Sequence, residues 1–440
     1  MKRCVSLLIG ILLFVPSLSF SLTLEEAVSR ALKNNPGLMS ERNLSTSLKY
    51  AVKAEKGKLL PRIDFIAQAK RLSDPQPVVS IAGPGKFPKF SKNLYLYQFN
   101  AVLPLYEGGR IRKSIQIASL AKEAQANMEK LTALNLIAEV KKTYFFILYA
   151  KSLIKAYEKT VEALKKAKKD AELRLSLGKI PPLDLMRIDA QLEGEKAYLA
   201  SAKEAYSRAV EALLILMGEK PDKKLSVNGY LKYAPYTLPS DYEHLLLCRP
   251  DINAQEIAVE KAEKKVELAF REHFPSVEVF SSYGKRAGAG LNYRREVWEA
   301  GIQLKINLYS GGVISSKVSQ EKALLLHEKE KLRELKLKAE KEVLDAISRI
   351  KEAEERVKFF KASKLAAKEA FRIENLKYKT GAGTITDMLV AQAEWFRAES
   401  SYVQALYELT CARIDYEYAT ATIGRGFIKL SCGEADEKVR

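Results

Sequence analysis

Residues 297–313 read VWEAGIQLKINLYSGGV. Trp298, Ala300, Ile302, Leu304, Ile306 and Leu308 alternate with Glu299, Gly301, Gln303, Lys305 and Asn307. One face suits lipid and the other water, which is the pattern of a membrane β-strand. The strand runs into Gly311 and Gly312, and the next 68 residues, up to Gly381, contain neither glycine nor proline. Residues 94–110, LYLYQFNAVLPLYEGGR, make the same join. There Tyr95, Tyr97, Phe99, Ala101, Leu103 and Leu105 alternate with Leu94, Leu96, Gln98, Asn100 and Val102, and Gly108 and Gly109 open a second 68-residue run ending at Gly178.

The likeness of the two segments extends over the chain. At an offset of 214, Pro36 recurs as Pro250, Val52 as Val266 and Pro61 as Pro275; at an offset of 203, Leu173, Gly178 and Asp184 recur as Leu376, Gly381 and Asp387. Two tandem structural repeats follow, residues 22–231 and 232–427, with a tail at 428–440. They are interleaved with such long periodic segments that a single elongated body is expected rather than two globules.

Each breaker-free run predicts one helix, over about 110–177 and 313–380. At ~1.5 Å per residue each is a rod of about 100 Å, far longer than a bilayer is thick, so most of it stands in water. Ile154, Tyr157, Val161 and Leu164, and likewise Val343, Ile347, Ile350, Val357 and Phe360, recur at coiled-coil spacing. Such a stripe must be covered. Return helices over about 184–217 and 387–423 make antiparallel hairpins, and helical segments at 23–60 and 239–272 cover the remainder.

Weaker alternation predicts strands at about 62–71 and 276–286 before those at about 93–105 and 296–308. Residues 73–92, with four prolines, read as a surface loop. Four strands of bilayer length cannot close alone, and open edges in lipid cost several kcal/mol for each unsatisfied backbone group. The barrel must borrow strands from other copies, and three copies supply twelve. The alternative is a soluble sandwich that buries its apolar faces elsewhere.

Residues 1–21 read as a signal peptide: Lys2 and Arg3, an apolar stretch from Val5 to Val15, then Ser19-Phe20-Ser21. As a membrane anchor the apolar stretch is short of the ~20 residues a span needs. Removing Lys2 and Arg3 lowers the formal charge from +19 to +17. The basic residues alternate with glutamate, as in EKEKLRELKLKAEKE, which marks solvated helix faces and no nucleic-acid site. Cys248, Cys411 and Cys432 are too few for a disulfide framework, although a pair such as Cys248 with Cys432 is possible. His244, His273 and His327 lack metal-ligand spacing, so no catalytic residue, metal or cofactor is expected.

The motifs NPGL and RPDI, LPRI and FPSV, LYEGGR and LYSGGV, and LGKIPPLD and TGAGTITD, in that order, resemble the TolC-like outer-membrane efflux protein family from about Leu22 to Gly424. The resemblance implies a mixed α and β membrane fold. Three chains form a twelve-stranded β-barrel in the outer membrane, continuous with an α-helical coiled-coil barrel through the periplasm. It implies a homotrimeric exit duct of a tripartite efflux or type I secretion system, working with a periplasmic adaptor and an inner-membrane pump of RND or ABC type.

By the same resemblance the hairpin turns form a periplasmic gate, with Asp184 held by the Tyr378 hydroxyl and Asp387 from three copies ringing the axis. Carboxylates about 8 Å apart repel by roughly 2 kcal/mol at an effective dielectric near 20, which favours bound cations. Gly178, Gly381 and Gly383 mark tips where an adaptor docks. Family members often carry arginine where Gly383 stands and a second acid where Val390 stands, so a thinner polar network is expected. Read from the residues alone, both aspartates also suit plain helix N-terminal compensation, and Gly108, Gly109, Gly311 and Gly312 suit a bend from strand to helix. The competing whole-chain readings are a periplasmic adaptor and a structural coiled-coil protein of the envelope.

Overall fold

A computed structural model describes residues 22–78, 83–85, 87–222, 225–233, 236, 243–291 and 295–428. The expected signal peptide and all but the first residue of the expected tail lie outside them. The first half of the chain runs α1 (Leu24–Asn34), α2 (Pro36–Gly57), β1 (Arg62–Pro77), β2 (Phe90–Glu107), α3 (Arg110–Ser176) and α4 (Pro182–Leu216). The second runs α5 (Glu243–Leu246), α6 (Pro250–Phe270), β3 (Ser276–Ala287), β4 (Arg295–Lys305), α7 (Val313–Thr380) and α8 (Ile385–Ala419). Among the described residues no helix is long and apolar enough to cross a membrane.

Several boundaries differ from the sequence pattern for physical reasons. β1 extends to Pro77 because a register shift after Arg71 lets Gln76 and Pro77 pair with Ser91 and Phe90. Pro75 and Pro77 are tolerated on this edge strand, so the expected loop begins later. β4 stops at Lys305 and not 308, since its partner β3 starts at Ser276, opposite Lys305, immediately after Pro275. α8 stops at Ala419, before 423, where Ala421 takes a left-handed φ of 56°. α4 and α8 each start two residues before the expected aspartate, α4 on Pro182, whose fixed φ suits a first helical turn.

The chain divides into two compact units, each drawing on both halves of the sequence. One unit holds most of α2, together with α5, α6, the sheet and the 110–133 and 313–343 stretches of α3 and α7. Its four strands pair antiparallel in the order β1-β2-β3-β4, so the two halves meet at the β2–β3 ladder. Directly opposed residues share a face. One row reads Phe65, Phe99, Tyr283, Trp298, all more than half exposed. The neighbouring row, on the opposite face, reads Asp64, Asn100, Ser282, Glu299. Beside the sheet, Arg42 of α2 reaches Glu129 of α3 at 3.3 Å, and Gln255 of α6 donates to Glu328 of α7 at 2.6 Å.

The other unit holds α1, α4, α8 and the 134–176 and 344–380 stretches of α3 and α7. Its core takes Ile137, Val140 and Ile147 from α3, Leu213 and Leu214 from α4, and Val357 from α7. The start of the described chain is fixed here. The Tyr144 hydroxyl lies 3.1 Å from the Leu22 carbonyl and 2.6 Å from that of Asn228, while Thr23 and Glu26 cap α1 reciprocally.

Candidate functional site

The α3–α4 and α7–α8 turns come together in the second unit. Each long helix ends in the same way. Gly178 has a φ of 67° and donates to the Leu175 carbonyl while Lys179 donates to that of Arg174; Gly381, with a φ of 80°, donates to Tyr378 while Ala382 donates to Lys377. This pair of reverse bonds satisfies the last carbonyls of a helix and needs a left-handed residue, which glycine supplies without a steric penalty. Gly383 serves differently. A Cβ there would sit 2.8 Å from the Lys377 Cβ, so the tight turn leaves no room for any side chain at that position.

Below the turns an apolar cluster joins the hairpins: Val161, Leu164 and Ala171 of α3, Ile188 and Leu192 of α4, and Ile385, Met388 and Leu389 of α8. Tyr378 packs on this cluster with Arg174 stacked over its ring at 5.2 Å. Its hydroxyl is buried and has no hydrogen-bond partner, so the bond to Asp184 implied by the family resemblance is absent from this chain. Burial pushes the phenol pKa up; Arg174 works against that rise, and the charges of Asp170 and Asp184 add to it. Asp184 thus acts on Tyr378 through its field and not through a bond.

Asp387 is exposed in the first turn of α8. Its carboxylate accepts from the Thr384 hydroxyl at 2.7 Å, and its backbone N–H donates to the same oxygen at 3.1 Å. Near the turns a polar link between the hairpins is instead Arg187 of α4, which donates to the Thr386 hydroxyl of α8. These two residues border an α4–α8 groove of about 420 Å³ that also receives Gln191, Glu195 and Tyr198. Glu195 is 6% exposed; one carboxylate oxygen accepts from Gln191 at 3.3 Å and the other has no partner. Burial pushes its carboxyl pKa up, partly offset by Gln191.

Sequence reading missed Arg187, Thr386 and Glu195, although Glu195 carried a signal. It falls on the stripe of Ile188, Leu192, Leu199 and Ala202, where a charge is out of place. The four junction glycines lie in the other unit, all with left-handed φ between 60° and 79°. A Cβ on Gly108 would press on Phe274 and one on Gly109 on Arg271, whereas Gly311 faces open space.

A four-stranded sheet with a lipid-suited face, attached to long helical hairpins, defines a membrane-channel subunit. The family profile described as outer membrane efflux protein matches residues 27–219 and again 242–418. The outer membrane protein TolC of Vibrio cholerae is 23% identical over 418 residues, covering 91% of each chain. The cobalt-zinc-cadmium resistance protein CzcC of Cupriavidus metallidurans is 23% identical over 393 residues, covering 88% of this chain and 86% of its own. The fold matches the Campylobacter jejuni CmeC outer membrane channel with a TM-score of 0.78 at 19% identity, over 90% of this chain and 85% of that one. The chain belongs to the outer membrane efflux protein family. It is an outer-membrane efflux channel and not an enzyme, with its helical part in the periplasm, and the adaptor and scaffold readings are set aside.

Proposed function

We propose that three copies join their sheets edge to edge into a twelve-stranded barrel, built from the two repeats 22–231 and 232–427 and continued by a helical tunnel. The assembly is the passive exit duct of a tripartite efflux or type I secretion system, fed by an inner-membrane pump of RND or ABC type through a periplasmic adaptor. The observation that carries this reading is the sheet itself. Its central rows differ in polarity, Phe65-Phe99-Tyr283-Trp298 on one face against Asp64-Asn100-Ser282-Glu299 on the other, while β1 and β4 each have an outer edge unpaired among the described residues. In hydrocarbon such edges have to be paired, and like copies can pair them.

The mouth of this duct is assigned to the paired turns. Asp184, Tyr378 and Asp387 form the gate, with Asp387 as a ring of carboxylates around the axis, and the Gly178, Gly381 and Gly383 tips receive the adaptor. Gly108, Gly109, Gly311 and Gly312 serve as the bends between barrel and tunnel. The apolar cluster and the Arg187–Thr386 bond support a closed mouth held mainly by packing.

Protein purified from outer membranes tests the whole reading. Unheated gels are expected to show a trimer that collapses on boiling, and planar bilayers are expected to show cation-selective conductance. A soluble monomer inert in bilayers overturns it.

A further inference from the structure

In the sheet-bearing unit an apolar groove of about 530 Å³ runs along the 329–340 stretch of α7, walled opposite by Leu246, Leu247 and Ile252. Leu247 and Leu337 in its lining remain 59% and 61% exposed, an unusual state for leucines facing one another across a cleft. The rim is basic. Lys329, Arg333 and Lys336 follow one another along the helix, and their carboxylate neighbours Glu263, Glu330 and Glu256 are themselves exposed, so these pairs are well screened.

The residue after the Leu246-Leu247 wall is Cys248, which is buried and disulfide-bonded. The chain has four cysteines. Cys411 is free, and Cys4 lies in the segment read as a signal peptide. That leaves Cys432, four positions beyond Ile428, the last described residue. The segment around it, KLSCGEADEKVR at 429–440, places Glu434, Asp436 and Glu437 directly after the cysteine.

We propose that the C-terminal segment 429–440 is clasped across this groove by a Cys248–Cys432 disulfide, its acidic stretch facing Lys329, Arg333 and Lys336. In forming the bond the two thiols lose two protons and two electrons. The electrons pass by thiol exchange to a disulfide-bearing oxidant of the exporting compartment, which is reduced to its dithiol. Chain end, groove wall and α7 are then one covalently closed unit.

Peptide mapping of unreduced, denatured full-length protein tests the bond. A linked pair containing Cys248 and Cys432 is expected, with Cys411 open to alkylation. Linkage of Cys248 to Cys4, to Cys411 or to another copy, or its alkylation without reductant, overturns the proposal. Hydrogen–deuterium exchange tests the seating. Cys432→Ser and a chain ending at Ser431 are expected to lose protection at 243–252 and 326–340 while the turns at 177–184 and 380–387 stay unchanged. Groove protection that survives both changes overturns the clasp, and protection lost only on separating the copies assigns the groove to a neighbouring copy instead.

Discussion

Chemistry can separate the observed helix-start contact of Asp387 from the ring role proposed for it. As a cap partner it needs only an oxygen that accepts from Thr384; as a member of a cation-binding ring it needs its charge. Asp387→Asn keeps the oxygen and removes the charge, and is expected to cost only the helix-dipole contribution of about 0.3–1 kcal/mol in stability while lowering cation selectivity in single-channel recordings. Asp387→Ala is expected to cost about 1 kcal/mol as well. If the asparagine variant conducts like the parent, the residue is a cap and nothing more. Glu195 gives a pH signature. Because its carboxyl pKa is raised by burial, the folded chain binds a proton that the unfolded chain has already released, so stability falls as pH rises from the ordinary glutamate value through the raised one. Below that window the penalty is absent. Glu195→Gln is expected to raise the unfolding temperature at neutral pH and to flatten this decline, which thermal scans across pH would measure.

The two hairpin ends look equivalent in sequence and are built differently. Both close on a left-handed glycine, but the second adds Gly383, whose N–H donates to the Lys377 carbonyl at 3.1 Å. Gly383→Ala pushes a methyl carbon into the Lys377 side chain and is expected to cost about 1–3 kcal/mol, read as faster amide exchange over 377–387. The helices were legible because long stretches without glycine or proline leave the backbone little alternative, and the strands because their side chains alternate. Strand ends were less legible, since Gln76 and Lys305 stop or continue according to what lies opposite them, which a single segment does not contain. The Tyr378 contact was misplaced for a related reason. Family resemblance gives the residue, but its contacts here are Arg174 over the ring and the apolar cluster, with the hydroxyl buried and unpartnered.

On the scale of the molecule the sheet carries the strongest expectation. Trp298 closes the aromatic row at 76% exposure, and the chain has only one other tryptophan, Trp395, which is stacked on Phe371. In a Trp395→Phe background, brominated lipid is expected to quench Trp298 fluorescence strongly; no quenching would place this face away from hydrocarbon. The same sheet holds the two halves together at its centre, where β2 and β3 pair from Tyr95–Ala287 to Glu107–Ser276. That ladder does not depend on the peptide link between α4 and α5. Two polypeptides cut there and produced from separate genes would still share this ladder, and for the proposed trimer an ancestor of half the present size would need six identical pieces to build the same wall.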